Sequence, residues 1–211
     1  TVSINTIMKY KITFLLDETN LWFEKYLKKC DFRLNKKYSF KIRKNPNNVS
    51  KQDIVFPLCY TKILSDKFIN KNKLVLIVHC SKLPKDKGFA PIAYQVLKNK
   101  KIIYVSLIKA VKEVDAGPIF LRQKFKLDGT ELCDELRSIQ AKAVLNIIKN
   151  FLIIFPKVKS TNQKGKSSFN KRRKLHDSEL NINKTIKSQF NLLRTADNLL
   201  YPSYFKFKKK K

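Results

Sequence analysis

Glycine is scarce in this chain of 211 residues: only Gly88, Gly117, Gly129 and Gly165 occur. No G-x-G-x-x-G and no P-loop can be assembled from them, which excludes classical dinucleotide and ATP cradles. The four cysteines, Cys30, Cys59, Cys80 and Cys133, form no C-x-x-C pair and have no histidine at ligand spacing, so neither a metal centre nor a disulfide framework is supported. No stretch approaches the ~20 apolar residues that span a bilayer, and the N-terminus lacks a signal-peptide pattern. The expectation is a cytoplasmic protein with no membrane contact. Acidic residues are few as well, 16 against 46 basic ones, for a formal charge of +30. Such a charge favours phosphate contact and counterion release. All but seven of the basic residues are lysines, however, spread along the chain beside abundant Asn, Ile and Phe. A/T-rich codons produce that excess, and a solvated lysine surface attracts anions without any dedicated nucleic-acid site.

What is present suffices for one sizeable core with an appended piece: 43% of residues are apolar and 11% aromatic. Apolar runs predict strands at 10–16, 38–43, 54–59, 74–79 and 102–107, with another after Asp115. Helices are predicted at 20–29, 90–97, 130–155 and 185–193. In the third, Leu132, Leu136, Ile139, Ala143, Ile147 and Phe151 recur at helical spacing, and Asp128-Gly129-Thr130 reads as its start. Strands alternating with helices imply an α/β fold with a parallel sheet. The division expected is a body at 8–156, a Lys/Ser/Asn/Gly-rich linker at 157–177 and a partial C-terminal region at 178–211. Met8 is the only methionine, so residues 1–7 read as an upstream extension. Tyr204-Phe205-Lys206-Phe207 reads as an alternating strand cut short, which suggests a truncated C-terminus.

Two of these strands carry chemistry. The run Leu74-Val75-Leu76-Ile77-Val78 ends in His79 and passes into Cys80-Ser81-Lys82-Leu83-Pro84-Lys85-Asp86-Lys87-Gly88-Phe89-Ala90-Pro91. Open α/β sheets bind ligands at such strand ends. Downstream, Val114-Asp115-Ala116-Gly117-Pro118 places a carboxylate in a tight turn before another apolar run. A His and an Asp at two strand ends can form a base and its orienting partner.

The segment from His79 to Pro91, followed by Asp115-Ala116-Gly117-Pro118-Ile119, resembles the folate-dependent formyltransferase family, with its His-x-Ser-x-Leu-Pro-x-x-x-Gly-x-x-Pro and Asp-x-Gly-x-Ile patterns. The resemblance continues through Gln163-Lys164-Gly165, Arg172-Arg173, Asp177-Ser178-Glu179-Leu180 and Leu193 to Asn198, up to Tyr201-Pro202, and there it is similar to the sugar N-formyltransferase branch. It covers most of the chain from Met8 onward.

The resemblance implies a Rossmann-like, mostly parallel sheet and transfer of a formyl group from 10-formyltetrahydrofolate to a primary amine, with no metal. His79 and Asp115 would be catalytic, and Leu83, Pro84, Gly88, Val114 and Gly117 would border the folate pocket. Arg172 and Arg173 would contact the diphosphate of a nucleotide-linked amino sugar, since arginine forks match phosphate geometry. Membership of a surface charge run at 171–174 explains the same two residues equally well. The resemblance also leaves room for a homodimer.

One position departs from the pattern. The family's catalytic asparagine stands two residues before the histidine, where this chain has Ile77, which neither donates nor accepts a hydrogen bond. Either another donor serves the developing oxyanion, such as a backbone N–H, Ser81 or a protonated His79, or the enzyme is slow or inactive. Two rival readings follow: formylation of methionyl-tRNA, and a non-catalytic folate- or anion-binding relative.

Overall fold

A computed structural model describes residues 9–18, 21–32 and 36–208. The expectations about Met8 and residues 1–7 lie outside the described residues.

Six strands form one sheet in the order β2-β1-β3-β4-β6-β7. Strand β1 (Tyr10–Leu16) pairs in parallel with β2 (Tyr38–Arg43) and with β3 (Ile54–Leu58), and β3 pairs in parallel with β4 (Leu74–His79). Both faces of this part are covered. On β3, Ile54, Phe56 and Leu58 enter a large apolar cluster on one face while Val55 enters a smaller one on the other. Burial on both faces is why β3 and β4 read as unbroken apolar runs, whereas the edge strand β2 alternates.

Beyond β4 the sheet changes direction. The short strand β5 (Lys87–Gly88) and helix α3 (Pro91–Leu97) lead to β6 (Ile102–Lys109), which runs antiparallel to β4, and β7 (Ile119–Lys126) runs antiparallel to β6. The seven residues of α3 span about 10 Å, half the length of a six-residue strand. The crossover therefore does not return the chain to the far end of the sheet, and β6 enters from the end where β4 leaves. The sheet is mostly parallel, as expected, with an antiparallel edge.

Helix α1 is Glu24–Lys29, preceded by a single 3-10 turn at Leu21–Phe23. The six-residue helix α2 (Asp66–Lys71), absent from the sequence reading, covers the smaller cluster with Phe68, and the Ser65 hydroxyl accepts its Phe68 N–H at 3.2 Å. Helix α4 (Cys133–Ile154) lays Leu136, Val144, Ile147, Ile148 and Phe151 onto the larger cluster. Tyr38 Oη donates to Leu152 O at 2.6 Å, joining β2 to α4. This helix starts three residues later than the sequence predicted. Glu131 accepts from Asp128 N at 2.6 Å and Gly129 N at 3.1 Å, which holds that segment as a turn, and Leu132 N donates to Glu135 Oε2 at 2.8 Å.

The stretch after α4 is tied to the body. Thr161 bridges to Ile119, and β8 (Phe169–Asn170) pairs in parallel with β5. The helix expected at 185–193 is a 3-10 turn at Lys187–Gln189 followed by α5 (Phe190–Arg194). Arg194, 2% exposed, pairs with Glu131 Oε2 at 2.8 Å, and Arg137 pairs with Asp197. Residues 204–207 form no strand; Tyr204 makes an isolated bridge to Glu179. Among the described residues no helix is long and apolar enough to cross a membrane.

Candidate active site

Strand β4 delivers His79 at its last position, 6% exposed. Alternation along the strand puts Val75, Ile77 and His79 on one face. His79 Nδ1 lies 3.3 Å from Asp115 Oδ2, and Nε2 faces the Asp86 carbonyl oxygen at 2.8 Å. Asp115 comes from the turn between β6 and β7, in the left-handed region at φ 51°, which Asp tolerates better than most residues. Its Oδ2 also accepts the Gly88 N–H at 2.8 Å. One carboxylate oxygen thus faces an imidazole and a main-chain donor together, which fixes it against the ring.

Both glycines of the pattern have a steric reason. A Cβ on Gly88, at φ +86°, would lie 2.6 Å from Asn170 O and from the Phe169 ring. A Cβ on Gly117 would lie 1.7 Å from Lys109 O, so only glycine lets the Asp115 turn close onto β6. Gln163 Nε2 then donates to Asp115 O and Gly117 O, both at 2.8 Å, and fixes the turn from the far side.

The loop after β4 is equally anchored. Ser81 Oγ donates to Lys85 O at 2.7 Å, Ser106 Oγ donates to Ser81 O at 2.8 Å, and Arg122 Nη2 donates to Leu83 O at 2.6 Å. Asp86 takes φ 56°, donates its N–H to Ser168 Oγ at 2.8 Å and receives Lys98 at 2.9 Å and Lys100 at 3.0 Å on its carboxylate. Burial works against that charge, but the two lysines hold the carboxyl below its ordinary value. The Cys80 thiol is pushed up to about 12 by burial, so it stays protonated at neutral pH and is no nucleophile.

The residues singled out by sequence are placed as follows. His79, Asp115, Gly88 and Gly117 meet in one corner, Leu83 and Pro84 lie on the adjoining loop held by Arg122 and Ser168, and Val114, next to Asp115, is exposed. Arg172 and Arg173 part company. Arg173 is buried, donating to Ser178 Oγ at 3.1 Å, Asp177 O at 3.3 Å and Thr195 O at 3.4 Å. Arg172 is exposed, 5.3 Å from the Phe89 ring centre. Ile77 is half-buried against the cluster of Leu15, Val55 and Val75. Ser81, a candidate replacement donor, has its proton committed to Lys85 O. Among the described residues no group of His, Cys, Asp and Glu is arranged to hold a metal.

Sequence reasoning missed Asp86, Ser106 and Arg122. Nothing local marks them, because their contacts arise from loop closure and strand register. His79 pairs with Ser106 across β4 and β6, and Ser106 with Arg122 across β6 and β7. Arg122 opens onto a cleft of about 460 Å³ lined also by Leu83, Phe120, Thr161, Gln163 and Lys164.

Residues 11–149 match the Formyl transferase family. The methionyl-tRNA formyltransferase of Thermotoga maritima is 30% identical over 154 residues, covering 69% of this chain and 48% of that protein. The chain spans about half the length of the curated relatives it matches first. Among solved structures, a methionyl-tRNA formyltransferase from Clostridium thermocellum superposes with a TM-score of 0.79 at 21% identity, covering 95% of this chain and 89% of that one. A 4-N formyltransferase from Francisella tularensis gives 0.72 at 14% identity, covering 96% and 94%. These two likenesses concern the fold. With two thirds of its length matching the family, and with His79, Asp115 and both pattern glycines gathered in one corner of the sheet, this chain belongs to the formyltransferase family.

Proposed function

We propose that the protein transfers a formyl group from 10-formyltetrahydrofolate to a primary amine on a nucleotide-linked amino sugar. The observation that carries the reading is the buried His79–Asp115 pair, whose carboxylate is held in place by the Gly88 N–H. An amine that attacks a formyl carbon must shed a proton, and the carbonyl oxygen gains negative charge. When bound, the folate supplies the activated formyl group. Both His79 ring nitrogens face acceptors, Asp115 Oδ2 and Asp86 O, so Nε2 must leave the Asp86 carbonyl before His79 takes the amine proton or donates to the developing oxyanion, while Asp115 orients the ring. Leu83, Pro84, Gly88, Val114 and Gly117 would hold the co-substrate. Two loops closed by tightly packed glycines, with the apolar side chain of Val114 43% exposed between them and solvent, suit a flat heterocycle lying against main-chain edges.

Ile77 sets the pace. Loss of one oxyanion donor costs about 100- to 1,000-fold in turnover; with Ser81 committed to Lys85 O, a backbone N–H or His79 must serve instead, and without either the transferase is slow. The Arg-Arg-x-x-x-Asp-Ser-Glu-Leu segment supports the sugar acceptor, while the fold, shared with both the Francisella 4-N formyltransferase and the Clostridium methionyl-tRNA formyltransferase, does not choose between acceptors. A second reading, methionyl-tRNA as acceptor, is supported by the sequence relatives and the +30 charge.

The test incubates the protein with 10-formyltetrahydrofolate and a panel of nucleotide-linked amino sugars, followed by mass spectrometry. A sugar that gains the mass of one formyl group, and does not with His79→Ala, supports the reading. Formylation of methionyl-tRNA alone would replace the acceptor, and folate binding without turnover on any amine would replace the activity.

A further inference from the structure

Residues directly opposite one another in a ladder present their side chains on the same face. The register therefore sets His79, Ser106 and Arg122 in one row, Arg122 two strand spacings, about 10 Å, from the histidine backbone. Its guanidinium is held on one side: Nε lies 3.4 Å from Ser106 Oγ and Nη2 donates to Leu83 O. A guanidinium carries five N–H donors, and among the described residues no ion pair joins Arg122 to a carboxylate. The remaining donors have the cleft beside them.

That cleft has the chemistry of an anion site. Its lining includes two cations, Arg122 and Lys164, and no acid. In the same lining Gln163 Oε1 is buried with no hydrogen-bond partner among the described residues. Gln163 Nε2 ties this lining to the Asp115 turn. Meanwhile Arg173 is committed to the interior and Arg172 lies over Phe89, outside this lining.

We propose that Arg122, with Lys164, is the anion-recognising edge of the acceptor cleft and holds a phosphate of the amine-bearing substrate beside His79. The acceptor is then a phosphate ester, and the contact that the sequence assigned to Arg172 and Arg173 belongs to Arg122. A nucleoside diphosphate and the terminal phosphodiester of an RNA share this chemistry. The role in acceptor choice rests on the formyl-transfer reading; phosphate binding does not.

The experiment titrates inorganic pyrophosphate into the full chain by calorimetry and, in parallel, measures tetrahydrofolate binding. Arg122→Gln and Lys164→Gln each weaken pyrophosphate roughly tenfold, the loss of one charge-assisted contact, whereas Arg172→Gln binds it as the unsubstituted protein does. Tetrahydrofolate binding is kept in Lys164→Gln and Arg172→Gln, whereas Arg122→Gln also frees Leu83 O in the folate-bordering loop. With acceptor supplied, Lys164→Gln raises KM for the acceptor and leaves kcat within about twofold, the mark of lost ground-state binding. Competition by UDP or by a short CCA-ended RNA tells which phosphate source fits. Should Arg122→Gln lose tetrahydrofolate binding along with its fold, the exposed Lys164→Gln decides alone. Pyrophosphate binding that survives both substitutions, or that is lost with Arg172→Gln, overturns the proposal. Arg122-dependent pyrophosphate binding in a protein that formylates nothing would uphold the site while removing the formyl-transfer reading.

Discussion

Position 77 carries an aliphatic side chain on the same face of β4 as His79, half-buried beside Leu15, Val55 and Val75. Ile77→Asn puts an amide donor within reach of the reacting corner, and kcat is expected to rise at least tenfold, a part of the factor that one oxyanion donor supplies. Steady-state kinetics on the folded variant checks this; an unchanged kcat would mean that another donor already serves. Asp86 sets a second expectation. A carboxyl whose folded pKa lies below its ordinary value of 3.8 stabilises the fold above that value, and the contribution is lost as pH falls through the folded value. Asp86→Asn should therefore lower the melting temperature at neutral pH, with the difference from the unsubstituted protein closing only below pH 3.8. A difference independent of pH would place the effect elsewhere. His79 and Asp115 were legible in the sequence because each sits in a local motif whose glycines have steric reasons. Asp86, Ser106 and Arg122 were not, since a carbonyl pointed at an imidazole and a row across three strands exist only after loop closure and strand pairing.

At the scale of elements, legibility followed length. The strands β1 to β4 and the helix α4 carry enough apolar repeats to declare their period. Helix α2 has six residues, and only Phe68 among them is fully buried, too few for any period to show. The direction of β6 is set by the shortness of α3, a property of the connection rather than of the strand. The turn before α4 depends on Glu131, whose carboxyl is pressed upward by burial but held below its ordinary value by the N–H groups of Asp128 and Gly129 and by Arg194. Removing one partner of a buried ion pair costs about 3–5 kcal/mol. Arg194→Met is expected to destabilise the fold by that order in urea unfolding at neutral pH, and a change under 1 kcal/mol would show that the turn holds without Arg194.

At the scale of the whole molecule, the described residues after α4 pack against the candidate site beside the six-stranded sheet instead of trailing from it. Gln163 fixes the Asp115 turn, Ser168 and Asn170 support the loop around Asp86 and Gly88, and Arg194 closes the turn before α4. Composition marks this stretch as a linker, because its contacts are made by single polar side chains and two-residue strands that leave no apolar period. The +30 charge belongs to this scale as well. Spread mainly over exposed lysines, it draws anions towards the surface as a whole, while choice among them falls to the few cations positioned beside the His79 corner.

The central claim is that the His79–Asp115 pair performs formyl transfer. The direct measurement is the single-turnover rate of formyl transfer from 10-formyltetrahydrofolate to the acceptor found in the panel, for the unsubstituted protein, His79→Ala and Asp115→Asn, each with its melting temperature. The account predicts a fall of about 100-fold or more in both variants, with tetrahydrofolate still bound and the fold intact. Full rates in folded His79→Ala or Asp115→Asn would contradict it.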